Sequence, residues 1–282
     1  MRVRIRFSKR GKLRWISHRD VARVWERALR RAEVPVAYSE GFSPRPRLSF
    51  GLALPTGAES VAEYLDVDLD GEATLSPPTL SSALPSGMEV GGTAPLEPSD
   101  SSLQHAVVAC DWQITLPEGP ADDAARRFLE APSVVVTRER KGHQVTDDIR
   151  PSVLDLEVRR PGAGGPVLAC RLATQLDGQP RGLRPAELIT ALGFDPAAAR
   201  MLRTHQWIVR DGAWCEPVPA VDAPARQGAC DIRRDPTLNG TDLGGPDLRE
   251  PRPDTHPAAA GLRAPLSTGL RAPLSTGLRP GG

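Results

Sequence analysis

With 282 residues, 39% of them hydrophobic, the chain is long enough for two small domains, or for one domain and a tail. No run approaches about 18 consecutive apolar residues, which argues against a membrane-spanning helix. The 36 Lys+Arg and 35 Asp+Glu nearly cancel, yet residues 1–50 hold 14 of the basic and 4 of the acidic ones. A net +10 therefore sits at the N-terminal side, suited to an anionic partner, while residues 51–221 carry −10.

The first strand is expected at Arg2–Phe7, where Val3, Ile5 and Phe7 alternate with Arg2, Arg4 and Arg6. Lys9–Gly11 turns the chain, and Lys12–Ile16 extends or bends the strand. Ser17 followed by Asp20 has the spacing of a capping box, opening a helix to about Ala32. Val21, Val24, Trp25, Ala28, Leu29 and Ala32 form its apolar stripe. The stretch from Tyr38 to Ser60 comes next. Its Gly41 accepts a positive φ, and Pro44 and Pro46 fix φ and disfavour helix, so it reads as a stiff arm. An extended backbone there aims Arg45 and Arg47 the same way. A second strand alternates at Leu48, Phe50, Leu52 and Leu54, and a third at Leu65, Val67 and Leu69. A short helix at Pro78–Leu84 and a strand at Met88–Ala94 complete a β-α-β-β-α-β order.

The rhythm then repeats more loosely. Strands are expected at Ala106–Leu116, Ser133–Thr137, Ser152–Arg159, Val167–Ala173 and Gln206–Arg210. Helices are expected at Ala121–Ala131, from Pro185 to a stop at Gly193, and as an extra piece at 196–204. From about Asp222 aromatics vanish, 9 Pro and 9 Gly accumulate, and GLRAPLST occurs twice, at 261–268 and 269–276. Such a segment buries too little apolar surface to offset its ordering entropy. The expected fold class is α+β: two tandem ferredoxin-like (βαββαβ) halves, at 1–97 and 104–218, and a disordered C-terminal tail at 219–282.

Cys110, Cys170, Cys215 and Cys230 are far apart, with no CxxC and no Cys–His spacing typical of zinc. Neither a metal site nor a disulfide framework is expected, and Cys110 and Cys170 read as small core residues. The opening MRVRIRF lacks the apolar stretch of a leader, so a cytoplasmic protein is expected. Walker, GxSxG, HExxH and dinucleotide-binding patterns are missing, and no cofactor is expected.

Arg2, Arg4 and Arg6 fall on the sheet face that the helices leave open, opposite a row of Asp66, Asp68 and Asp70, so cross-strand ion pairs are expected to absorb them. Lys9, Arg10, Lys12 and Arg14 face no acidic row, and His18 and Arg19 put positive charge where the helix dipole favours anions. With Ser17 at the cap, and with Tyr38, Gly41, Phe42, Ser43, Arg45 and Arg47 on the arm, these residues form a candidate site for RNA phosphates with an aromatic ring to stack on a base. Trp15 is a further candidate for stacking on a base, although its alternation with Leu13 reads as core. A catalytic alternative uses His18, Tyr38, Glu59 and Glu63 as acid/base groups beside the arginines, as in a metal-independent endoribonuclease.

Three elements carry a family resemblance: SHxD at Ser17–Asp20, YSxGFxPxP at Tyr38–Pro46 and LPxGxxSxxEY at Leu54–Tyr64. With the surrounding residues 1–70, and more weakly as far as about 215, including DIRPSVLDLEV at 148–158, the chain resembles the bacterial radical-SAM-associated, or radical-SAM-linked, domain of unknown function in its free-standing form. The tail has no counterpart there. Such proteins occur fused behind radical SAM enzymes or alone, often encoded near an RNase E/G-type ribonuclease and ribosomal proteins. The resemblance therefore implies RNA processing or modification, with a radical SAM protein or that ribonuclease as partner. It transfers no catalytic residue. The chain lacks CxxxCxxC, so iron–sulfur chemistry would belong to a separate protein. The leading expectation is an RNA-binding accessory protein, against an RNA-acting enzyme or a protein adaptor.

Overall fold

The computed structural model describes residues 1–97, 100–140, 142–161, 164–175, 182–219 and 230–231, with backbone alone at 138–140 and 230–231. The fold is mixed α+β, with a sheet-dominated core and few helices. The first half contains β1 (Arg2–Lys9), α1 (His18–Arg31), β2 (Leu48–Phe50), β3 (Glu59–Asp68), α2 (Pro77–Ala83) and β4 (Val90–Leu96). A short α3 (Leu103–Ala106) leads into the second, which contains β5 (Val107–Thr115), α4 (Ala121–Glu130), β6 (Val135–Arg140), β7 (His143–Asp148), β8 (Val153–Arg159), β9 (Val167–Ala173), α5 (Pro185–Ala191) and β10 (Arg200–Arg210). After these come β11 (Ala213–Cys215) and β12 (Cys230–Asp231).

One ten-stranded sheet runs β4-β1-β3-β10-β5-β9-β8, with β2 also on β3, β11 on β10 and β12 on β11. β1 lies antiparallel to β3 and β4, and β5 lies antiparallel to β9 and β10. β2 and β10 share one edge of β3: β2 takes Leu65–Val67, and β10 runs parallel at Glu59 and Ser60, paired with Leu202 and Arg203. β6 and β7 form a separate hairpin between α4 and β8.

The alternating residues of β1 behave as their pattern demands. Val3, Ile5 and Phe7 are buried with the α1 stripe of Val21, Trp25, Ala28 and Leu29, and Phe7 meets the edge of Trp25 at 5.0 Å between centroids. Val24 and Ala32 pack at the margin of that cluster. A second cluster gathers Trp112, Ile114, Phe128, Leu168, Leu172, Leu188 and Ile189. Cys110 and Cys170 are buried free thiols within it.

Several expectations are corrected. Lys12–Ile16 is no strand: Gly11, at φ +63°, turns the chain into a 3-10 helix over Gly11–Trp15. β2 stops at Phe50, and Leu52 and Leu54 pack instead against the second core cluster. The helical piece at 196–204 is one 3-10 turn at Pro196–Ala198, after which β10 pairs along β5. The face of β1 carrying its arginines is not open. Arg4 and Arg6 are buried, Arg4 with Asp66 at 2.7 and 2.9 Å and Arg6 with Glu216 at 2.7 Å, not with Asp70. The carbonyls of Ser101 and Val218 also accept from them, so the chain before α3 and the chain after β11 cover this face. Arg2 keeps its expected partner, Asp68. The expected disordered tail lies outside the described residues, except that Cys230–Asp231 pairs with Trp214–Cys215. Among the described residues no helix is long and apolar enough to cross a membrane, and no cluster of three metal-ligating side chains occurs.

Candidate nucleic-acid interface

The basic turn is built on a glycine. The Arg10 amide donates to the Gly87 carbonyl at 2.8 Å, and Gly87 adopts φ +96° with a would-be Cβ 2.7 Å from the Arg10 oxygen. Gly87→Ala is therefore expected to cost about 1–3 kcal/mol in urea unfolding, since both the dihedral and the backbone contact resist a side chain. Glu59 closes the turn by accepting from the Gly11 amide at 2.6 Å, and its other oxygen lies 3.6 Å from Arg200. Lys9 is buried. Its Nζ donates to the Ile16 carbonyl at 3.1 Å, and burial pushes its pKa down, against the pull of Glu63. Arg10, Lys12, His18 and Arg19 are exposed, and Arg14 is half-buried.

Trp15 is not core. It is 62% exposed, with one face on Gly57, the Arg14 guanidinium 5.1 Å from its ring, and the Gly57 amide donating to the Arg14 carbonyl at 2.8 Å. Ser17 and Asp20 form the expected capping box, and the Ser17 hydroxyl, donating at 2.7 Å, holds the Asp20 carboxyl below its usual range. The other Asp20 oxygen accepts from Arg23. Asp20 is thus spoken for by Ser17 and Arg23 and does not neutralise Arg19. His18 meets the Phe50 ring edge-on at 5.1 Å.

The arm is a narrow loop that folds back on itself, not a simple extended run. The Ser39 amide donates to the Arg45 carbonyl and the Arg47 amide to the Ala37 carbonyl, both at 2.8 Å, while Tyr38 pairs with Pro46. The Ser39 hydroxyl accepts from the Arg45 amide at 3.1 Å. The loop is rooted on the end of β3, where the Ala37 amide donates to the Asp68 carbonyl and the Asp68 amide to that of Arg47. Gly41 takes φ +121° at the tip. Ser43, Arg45 and Arg47 are exposed, Tyr38 is 51% exposed, and Phe42 is fully so.

The two segments do not converge into one pocket. Lys9 pairs with Ser60 and Arg47 bonds Asp68, eight residues further along β3, about 26 Å of strand at roughly 3.3 Å per residue. Two separate cationic surfaces result, one around Arg10–Arg19 and one on the arm. Among the described residues no carboxylate pairs with Arg10, Lys12, Arg14, Arg19, Arg45 or Arg47.

The acid/base set is dispersed as well. Tyr38 is on the arm and Glu59 holds the turn. His18 and Glu63 share a cavity, with Lys9 and Tyr64, of about 20 Å³, which is room for about one water. Glu63 is buried and accepts from Arg203 at 2.6 and 3.0 Å. Sequence reasoning missed Arg203, a fully buried cation whose Nη2 also reaches the Leu52 carbonyl at 2.8 Å and whose guanidinium lies 5.5 Å from the Trp112 ring.

A family model described as "Uncharacterized protein conserved in bacteria (DUF2344)" matches residues 2–185. No curated protein matches. Among solved structures, a crystal structure of a Cbf5-Nop10-Gar1 complex is similar at 14% identity and a TM-score of 0.38, over 72% of this chain and 48% of that one. This chain thus spans about half the length of that one, and a likeness so weak carries no argument.

Proposed function

The chain belongs to this family of uncharacterized proteins conserved in bacteria, and from its surface we propose that it captures single-stranded RNA as an accessory protein of RNA processing or modification. One observation carries the reading. Six cations on the 10–19 and 38–47 segments lack a carboxylate partner among the described residues, and they stand beside three aromatic rings held out to solvent. Unpaired cations release counterions when they meet phosphates, and exposed rings offer stacking faces that tolerate any base. The RNA-acting enzyme is the weaker reading, because its four acid/base residues are spread over α1, the arm and both Glu59 and Glu63 of β3, and Glu63 is consumed by Arg203.

In architecture, we read each half as ferredoxin-like. The support is a shared order, β4-β1-β3-β2 in the first half and β10-β5-β9-β8 in the second, the latter with the β6–β7 hairpin inserted. A radical SAM protein or an RNase E/G-type ribonuclease is the proposed partner class, on the sequence resemblance alone.

Filter binding of a single-stranded RNA across salt concentrations tests the interface. Replacing Arg45 and Arg47 together by Ser is expected to flatten the slope of log affinity against log salt by up to about 1.4, at roughly 0.7 per phosphate contact on a single strand. An unaltered slope removes the arm from the interface. If the wild-type chain binds no RNA, the whole reading is discarded.

A further inference from the structure

A second cavity lies where the two halves meet, and no residue of the basic segments lines it. Its volume is about 190 Å³. Leu52, Pro55, Trp112, Leu172 and Leu183 supply its apolar walls, and Cys110, Thr174 and Arg203 its polar side chains. Ala53 and Arg184 also line it and are exposed, so they mark its mouth.

The chemistry inside is specific. Arg203 spends Nε and Nη2 on Glu63 and the Leu52 carbonyl, while no oxygen acceptor meets its Nη1 among the described residues. The Cys110 sulfur is its other neighbour, a thiol that burial pushes up to about 11 and so keeps protonated. The cavity therefore offers fixed N–H donors on a guanidinium whose charge Glu63 already balances, beside an indole and aliphatic walls. Such a site rewards a neutral, flat occupant with acceptor atoms on one edge. Its size also restricts the occupant: drug-sized and cofactor sites run to about 300–1,000 Å³, so this one takes a single ring system.

We propose that this cavity receives one unstacked nucleobase of a bound RNA strand, read on its acceptor edge by Arg203 and walled by Trp112. The inference rests on the proposed RNA reading and deepens it. The chain itself links the surfaces: Pro55 lines the cavity, and two residues on, Gly57 carries the exposed Trp15 ring and bonds the Arg14 carbonyl. Phosphates held along Arg10–Arg19 thus leave a neighbouring base within reach of the mouth, and aromatic and apolar pockets are where proteins seat splayed single-stranded bases.

The test uses the full-length protein and the four free nucleosides, which lack phosphate and so cannot report on the cationic surfaces. Titration by saturation-transfer NMR is expected to show at least one nucleoside binding with a Kd of about 1 mM or tighter. Ala53→Trp, at the exposed mouth, and Leu183→Trp, inside, should each weaken it about tenfold or more. A thermal melt identifies a variant that has lost its fold, and the surviving one then decides. The RNA salt slope should stay unchanged in both, because neither variant touches the 10–19 or 38–47 cations. If RNA binds but no nucleoside does, or if nucleosides bind both folded variants as well as wild type, the base pocket is wrong and the RNA reading stands. Nucleoside binding without RNA binding sinks the RNA reading and this proposal with it, and leaves a site for a free nucleoside.

Discussion

Replacing Arg203 by Met is expected to lower unfolding free energy by about 3–5 kcal/mol, because it strands a buried carboxylate without its partner. The Arg203 side chain is 2% exposed and that of Glu63 10%, so bulk water replaces little of what is lost. Three interactions disappear together: the two to Glu63 and the one to the Leu52 carbonyl. The ion pair also joins the halves beside their shared sheet pairing at Ser60 and Arg203, so the loss falls on the seam. For a folded region of this size the midpoint of thermal unfolding should drop by roughly 6–20 °C. Adding Glu63→Leu to the same chain is expected to restore most of the loss, since the penalty is the uncompensated charge. Urea unfolding of the wild type and both variants decides the matter. A double variant no better than the single one would assign the cost to packing.

The second large effect falls on binding. Trp15→Ala combined with Phe42→Ala is expected to weaken single-stranded RNA binding by about 2–6 kcal/mol, at roughly 1–3 kcal/mol for each lost stacking platform. That is at least about a thirtyfold rise in Kd. The stability of the fold should barely change for Phe42, which touches solvent on all sides, and little for Trp15, which is 62% exposed. Fluorescence anisotropy with a labelled oligonucleotide measures the affinity, and the salt slope separates the two contributions. Stacking carries no counterions, so the slope should match wild type even as affinity falls. A variant binding as tightly as wild type would leave the surface with charge alone.

What could be seen in advance follows from how local each signal is. The capping box at Ser17–Asp20, the stripe of α1 and the alternation of β1 are decided within one element, and all three stand in the structure. β10 was masked by its own composition. Ala197–Leu202 is rich in helix formers, and two register shifts, at Arg203/His205 and Trp207/Ile208, break the period of two that marks a strand. The strand expected at Ser133–Thr137 overlaps β6, but its hairpin partner β7 is polar along most of its length and lacks an alternating signature. Trp15 reads as core only if Leu13 and Trp15 share a strand face. In a helix with three residues per turn they diverge, and the ring swings outward. Arg203 had no local signal at all, since its partner Glu63 is 140 residues away and only the assembled sheet brings them together. The arm was recognised as special from its glycine and prolines, but its distance from the basic turn is set by the length of β3, which single residues do not announce.

The arm's tip has one further consequence. The peptide after Phe42, a fully exposed phenylalanine on a loop, is the one that chymotrypsin should sever first, since loop tips yield to proteases well before packed elements do. No aromatic residue follows Trp214, so the C-terminal segment presents no competing aromatic cleavage point. The nicked product should not fall apart, because β1 and α1 on one fragment stay clasped to β3 and β4 on the other. A digestion ladder can then serve as a footprint, with bound oligonucleotide shielding the scissile peptide and its release laying it bare.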